Sequence, residues 1–207
     1  MRIEQPFNPL DKKNLGESVA EALLAKVALP LPLEERFIGA GIYALYYLGD
    51  FPLYAEISKR NKAAEESHLE WPIYIGKAIP KGARQGGVGL DASPGTVLYS
   101  RIAEHAESIV QSANLDIAHF TCRFLAVEDI WIPLGESLLI QRFGPVWNKA
   151  LDGFGNHAPG KGRYKQQRSP WDTLHPGRGW AKNCAPNETP IETITETVTQ
   201  FILQRLP

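Results

Sequence analysis

Apolar positions recur along this chain at two spacings, and the switches between them divide it into helices and strands. From Asn14 to Val27 the spacing is helical: Val19, Leu23, Leu24 and Val27 form one stripe, and Glu17 and Glu21 fall off it. Pro30 and Pro32 end the pattern. Phe37–Leu48 (FIGAGIYALYYL) is dense in β-branched and aromatic residues and runs into Gly49-Asp50, which predicts a strand closed by a turn. A helix is predicted over Leu53–Leu69, then a second strand over Trp71–Ile79, with Pro72 near its start where an edge strand tolerates it. After a glycine-rich loop from Lys81 to Gly95, helical spacing returns over Thr96–Ser112, with Leu98, Ile102, Ala106 and Ile109 on the buried stripe. His119–Glu128 reads as a third strand, and Glu136–Phe143 as a short helix stopped by Gly144-Pro145. From Asn148 to Asn183 the period dissolves into Gly, Pro, Trp and basic residues, and Glu188–Leu206 predicts a terminal helix.

A chain of 207 residues can bury one substantial core, so a single domain with additions is expected. At 43% hydrophobic and 22% charged, the composition is that of an ordinary globular protein. The net charge of -1 carries no message about a polyanionic partner, but its distribution does. Between Asn148 and Asn183 lie Lys149, Lys161, Arg163, Lys165, Arg168, Arg178 and Lys182, opposed only by Asp152 and Asp172. Cys122 and Cys184 stand far apart without zinc-ligand spacing, which argues against a disulfide framework or a structural zinc site. No stretch approaches the roughly 18 apolar residues of a membrane span, and the cytoplasm is the expected location.

Two tripeptides, Gly41-Ile42-Tyr43 and Tyr74-Ile75-Gly76, fall in the first two predicted strands, and the second inverts the first. Downstream, Arg101 and His105 sit one helical turn apart, Glu136 opens the short helix and Asn148 follows it. Hydrolysis of a phosphodiester needs its charge neutralised, a water activated and the departing oxygen helped. Glu136 supplies a carboxylate, and one carboxylate with waters and phosphate oxygens suits Mg²⁺, which keeps much of its hydration shell. Arg101 offers a planar fork for a phosphate, and His105 a phosphate contact or proton relay with an ordinary pKa near neutrality. Tyr43 and Tyr74 are both candidates to deprotonate or orient the water, with Tyr74 slightly favoured. A free phenol is only about 0.1% ionised at pH 7, a deficit of roughly 4 kcal/mol, so the base needs help, which Lys77 or the metal could give. Asn148 is expected to hold Glu136 or a metal-bound water by its amide.

In this order the two tripeptides, Arg101, His105, Glu136 and Asn148 resemble the signature of the GIY-YIG nucleases, metal-dependent phosphodiesterases, over about half the chain. The resemblance implies an α+β fold: a small three-stranded, mostly antiparallel sheet flanked by helices. It further implies a catalytic core over 37–148 with an inserted helix at about 50–70, and a basic DNA-contacting arm with a terminal helix over 149–207. The insertion departs from the usual spacing of about ten residues between the tripeptides. With the basic tail, it makes the chain most similar to the small type II restriction endonucleases that cut CCGCGG. The implied activity is Mg²⁺-dependent cleavage of both strands of double-stranded DNA at a short palindrome, which a homodimer matches most simply. A repair or homing nickase of the same superfamily, and a DNA-binding protein without catalysis, are the alternatives.

Arg and Lys to guanine are the commonest base contacts in the major groove. Lys161, Arg163, Lys165, Gln166, Gln167, Arg168 and Arg178 in the arm, with Lys59, Arg60 and Lys62 in the insertion, are the candidates for reading DNA or gripping its phosphates. Lys81 and Arg84 are candidate backbone contacts, since their glycine-rich loop lacks the GK[ST] ending of a nucleotide-binding loop. Trp171 and Trp180 are expected to pack the arm onto the body.

Overall fold

In the computed structural model, which describes residues 6–64, 69–80, 93–158 and 165–205, a fully antiparallel sheet carries helices on both faces. Its strands are β1 (Leu29–Pro30), β2 (Gly41–Tyr47), β3 (Pro72–Ala78) and β4 (Phe120–Ala126), in the order β1-β4-β2-β3. The helices are α1 (Lys12–Leu24), α2 (Ala55–Ala63), α3 (Val97–Val110), α4 (Ile132–Phe143), α5 (Val146–Lys149), α6 (Pro170–Leu174) and α7 (Ile191–Arg205). Four strands replace the expected three, because the two-residue β1 is too short to leave a period in the sequence. The α+β class and the three longer strands stand.

β2 is the central strand, and all seven of its residues are buried. Its alternation splits the interior: Tyr43, Leu45 and Tyr47 point to a cluster with Leu98, Ile102, Trp147, Trp171, Ile194 and Val198. Ile42, Ala44 and Tyr46 point to the other, with Leu23, Ile75, Ile132 and Leu139. The C-terminal segment therefore packs Trp171, Ile194, Val198 and Ile202 into the same core as the sheet.

α4 begins at Ile132, four residues before the expected start, so Glu136 lies in its second turn and does not open it. Pro133 marked the missed stretch, and a proline is at home in a first turn, where its absent N–H has no intrahelical partner. Gly144 closes the helix in the left-handed conformation (φ 50°, ψ 58°), as the Gly-Pro pair predicts. A side chain at Gly135 would run into Val19 and approach Ile42 Cδ1 to 3.2 Å. That absent side chain lets α4 close on β2 and carries Glu136 to the sheet.

The insertion is anchored by a buried polar chain. Tyr54 Oη meets His175 Nε2 at 2.7 Å, His175 Nδ1 meets Asn114 Oδ1 at 2.9 Å, and Trp147 Nε1 donates to Tyr54 Oη at 2.9 Å. Every member is satisfied when His175 is neutral with its proton on Nδ1. Burial holds the His175 pKa down at about 3. The native protein refuses a proton that the unfolded chain accepts below its ordinary pKa near 6.5, so stability is lost as pH falls from about 6.5 toward 3. We expect the urea midpoint to drop between pH 6.5 and 5, before most carboxylates titrate. A His175→Phe variant should start about 1–3 kcal/mol less stable at pH 7 and show a shallower drop, measured by fluorescence-detected unfolding.

Candidate active site

Cross-strand partners share a face of a sheet, so the register assigns each motif residue to a side. Tyr43 lies opposite Gly76 and Leu45 opposite Tyr74 on the α3 side, while Ile42 lies opposite Lys77 and Ala44 opposite Ile75 on the α4 side. β3 is the outer strand, and the motif residues gather around its unpaired edge. A side chain at Gly76 would run into the Tyr43 phenol, and one at Gly41 into the Leu125 carbonyl. The two motif glycines are thus fixed by close approach, one by the phenol and the other by β4.

Asn148 grips the edge itself. Its Oδ1 accepts from Ile75 N–H at 2.8 Å and its Nδ2 donates to the Ile75 carbonyl at 2.8 Å. The expectation that this amide holds Glu136 or a water gives way to a backbone clamp between Tyr74 and Gly76. Trp147, 2% exposed and packed against Phe120 and Phe154, sets α5 in position for it.

On the α3 side the rings of Tyr43, Tyr74, His105 and Phe154 form one cluster. Tyr43 and Tyr74 are 6.2 Å apart between centroids, His105 lies 5.6 Å from Tyr43 and 5.0 Å from Tyr74, and Phe154 stacks on His105 at 4.4 Å. Burial raises both phenols above their ordinary pKa, Tyr43 strongly; the Arg101 guanidinium opposes the rise in each, and the Glu136 carboxylate adds to it at Tyr74. Both are therefore neutral phenols at pH 7. His105 departs from the expected near-neutral titration: it is 1% exposed, and burial, followed by Arg101, Arg178 and His157, keeps its pKa well below the usual range. Tyr43 Oη and His105 Nε2 have no hydrogen-bond partner among the described residues.

Arg101 is held by the loop after α5 and by its own helix. Nη2 donates to the Gly155 carbonyl at 2.7 Å, and Nη1 reaches Glu104 Oε2 at 2.9 Å and His157 Nε2 at 2.7 Å. Nothing in the sequence singled out His157.

On the α4 side Lys77 Nζ meets Glu136 Oε2 at 2.5 Å, with both side chains partly exposed. Lys77 thus partners the carboxylate across from the phenols, not Tyr74. Among the described residues no three His, Cys, Asp or Glu side chains gather to hold a metal, so Glu136 offers a lone carboxylate. A lone, accessible carboxylate that already faces an ammonium cation fits a hard ion that keeps most of its waters.

The candidate DNA contacts separate into three sets. Lys81, Arg84, Lys161 and Arg163 lie outside the described residues. Lys59, Lys165, Gln166 and Gln167 are exposed, Lys62 pairs with Asp50 at 3.1 Å, and Arg60 stacks on Trp71 at 5.1 Å. Arg168 and Arg178 turn inward. Arg168 donates to the carbonyls of Ala181 and Lys182. Arg178, 1% exposed, is corrected from a DNA contact to a buried partner of Asp172, with Nε to Oδ1 and Nη2 to Oδ2 both at 2.7 Å. A buried charge of this kind needs a paired counter-charge, and an Asp–Arg pair six residues apart between Trp171 and Trp180 was the available sign of it. Trp171 is fully buried in the core, as expected of an anchor.

An antiparallel sheet whose neighbouring strands bring the two tripeptides together, with an arginine helix on one face and a glutamate helix on the other, defines a GIY-YIG nuclease domain. Residues 35–202 match the family model described as the Eco29kI GIY-YIG domain, and the chain belongs to that family of restriction-type nucleases. No curated protein matches it. Nucleases of this class act on DNA and generally use a divalent metal. Among the described residues no helix is long and apolar enough to cross a membrane.

Asn148→Ala leaves both backbone groups of the buried Ile75 without their partners. We expect it to cost about 1–3 kcal/mol in urea denaturation, whereas an amide that only orients water would leave the midpoint unchanged.

Proposed function

We propose that the protein is a type II restriction endonuclease that hydrolyses both strands of a short palindromic, GC-rich site, CCGCGG by its resemblance, using one Mg²⁺. The observation that carries this reading is the gathering of two phenols, one guanidinium and a lone carboxylate with its ammonium around the open edge of β3. Glu136 would hold the ion, which neutralises phosphate charge and eases deprotonation of water when bound. Arg101 binds the scissile phosphate with the N–H groups that face the phenols. That contact stabilises charge gained in the transition state.

Tyr43 and Tyr74 orient the attacking water, and one of them takes its proton. Because both phenols are neutral, the proton already on Oη must leave first. The Arg101 guanidinium, which pulls both phenol pKa values down, and a bound cation would ease that loss, since His105, its own pKa pushed down by burial, is a weak acceptor beside them. Lys77 balances Glu136 until substrate and metal bind, and Asn148 keeps β3 in line. We assign DNA contact to the exposed Lys59, Lys165, Gln166 and Gln167, and to Lys81, Arg84, Lys161 and Arg163. A homodimer gives one site to each strand of a palindrome. Core 37–148 and arm 149–207 are then working parts of a single domain.

Glu136→Ala is expected to abolish Mg²⁺-dependent plasmid cleavage while DNA binding stays within about threefold in a gel-shift titration; normal cutting would remove Glu136 as the metal ligand. Sequencing the ends of a plasmid digest should return one palindrome with a fixed stagger. Single nicks at scattered positions would overturn the restriction reading. Lys165→Ala should weaken binding and lower the salt slope of log K by about 0.9 if it contacts one phosphate.

A further inference from the structure

The loop Gly153–His157 reaches over the ring cluster and supplies three groups to it. Phe154 stacks on His105 at 4.4 Å and meets Tyr74 edge-on at 4.9 Å, the Gly155 carbonyl takes Arg101 Nη2, and His157 takes Nη1. The loop has no strand or helix to define it, and Gly153 adopts φ 114°, so its shape must be imposed from outside.

Arg178 imposes it. Its Nη1 donates to the carbonyls of Phe154 at 3.0 Å and Asn156 at 3.3 Å, and its Nη2 to that of Gly153 at 2.8 Å. The other edge of the guanidinium is spent on both oxygens of Asp172, whose Oδ2 also accepts from Ser169 Oγ at 2.7 Å. The indoles of Trp171 and Trp180 lie 4.6 Å and 4.7 Å from the guanidinium carbon, which fixes the plane of the fork. A planar group with five donors on fixed acceptors cannot turn without breaking several bonds at once.

We infer that Arg178, locked by Asp172, is a positioning residue for Arg101: it shapes the 153–157 loop whose Gly155 carbonyl aims the phosphate-binding guanidinium. Lysine could keep the charge beside Asp172 but not reach three carbonyls and two carboxylate oxygens together. The inference rests on the proposed role of Arg101, and the test separates the two.

Single-turnover cleavage of a plasmid carrying the recognised site, DNA affinity and thermal midpoint are measured for Arg178→Lys, Arg101→Ala and the double variant. A displaced guanidinium should slow the chemical step on the order of tenfold to a hundredfold. DNA affinity should stay within about threefold. In the Arg101→Ala background, Arg178→Lys should add less than about twofold, because the group it aims is gone; an undiminished further loss would make Arg178 a merely structural residue and overturn the inference. Normal cleavage by Arg101→Ala would instead overturn the Arg101 assignment itself. If Arg178→Lys is unfolded at the assay temperature, Gly155→Ala disturbs the same contact, because its Cβ would come within 2.9 Å of Tyr74 Oη and 3.6 Å of Arg101 Nη2, so that loop or phenol must give while the ion pair is untouched. Its non-additivity with Arg101→Ala separates an effect through Arg101 from one through Tyr74. Gly155→Ala should then show the same slowed step and the same non-additivity with Arg101→Ala, and an unslowed rate would overturn the inference.

Discussion

The outer edge of β3 has to be satisfied without another strand, and the proposed active site depends on how this is done. A strand there would cover the edge around which the motif residues gather. Asn148 answers both backbone groups of Ile75 with one amide, so the register of Tyr74, Gly76 and Lys77 against β2 is held from outside as well as inside. The same edge divides the labour. Neutral aromatic groups and Arg101 lie on one side, and the Lys77–Glu136 pair on the other. A phosphodiester lying across the edge would meet a guanidinium from one face and a carboxylate-held cation from the other.

Burial is what makes the aromatic side chemically poised. It raises the phenols and lowers His105, so all three rings are neutral and the guanidinium is the charged group among them. In such surroundings each charge interaction is stronger than in water. The price of the arrangement is acid sensitivity, since His105 and His175 both stay uncharged inside the fold.

Much of this was legible in the sequence, and the failures have physical causes. The strands of the two tripeptides announced themselves because β-branched and aromatic residues are concentrated there, and the motif order carried the family. β1 was invisible because two residues make no period. A start at Glu136 misses the first turn of α4, Ile132–Gly135, in which Pro133 is harmless. Asn148 was assigned to Glu136 or a metal-bound water because residue type reports what an amide can bond, not which backbone will meet it. Arg178 was taken for a DNA contact for a related reason: a basic run does not reveal which of its members turns inward, and this one is sealed between two indoles. Exposed Lys165, Gln166 and Gln167, in the same run, have the opposite fate.

The far edge of the sheet ends in Pro30. Leu31 N–H donates inward to the Phe120 carbonyl at 3.1 Å, and by the alternation of an antiparallel pair Pro30 directs its nitrogen away from β4. No N–H stands there to recruit another strand. With Asn148 capping the opposite margin at Ile75, each border has one position closed to strand pairing among the described residues. In the proposed homodimer these two positions are unavailable for strand pairing, which favours contact through side chains on helices and loops.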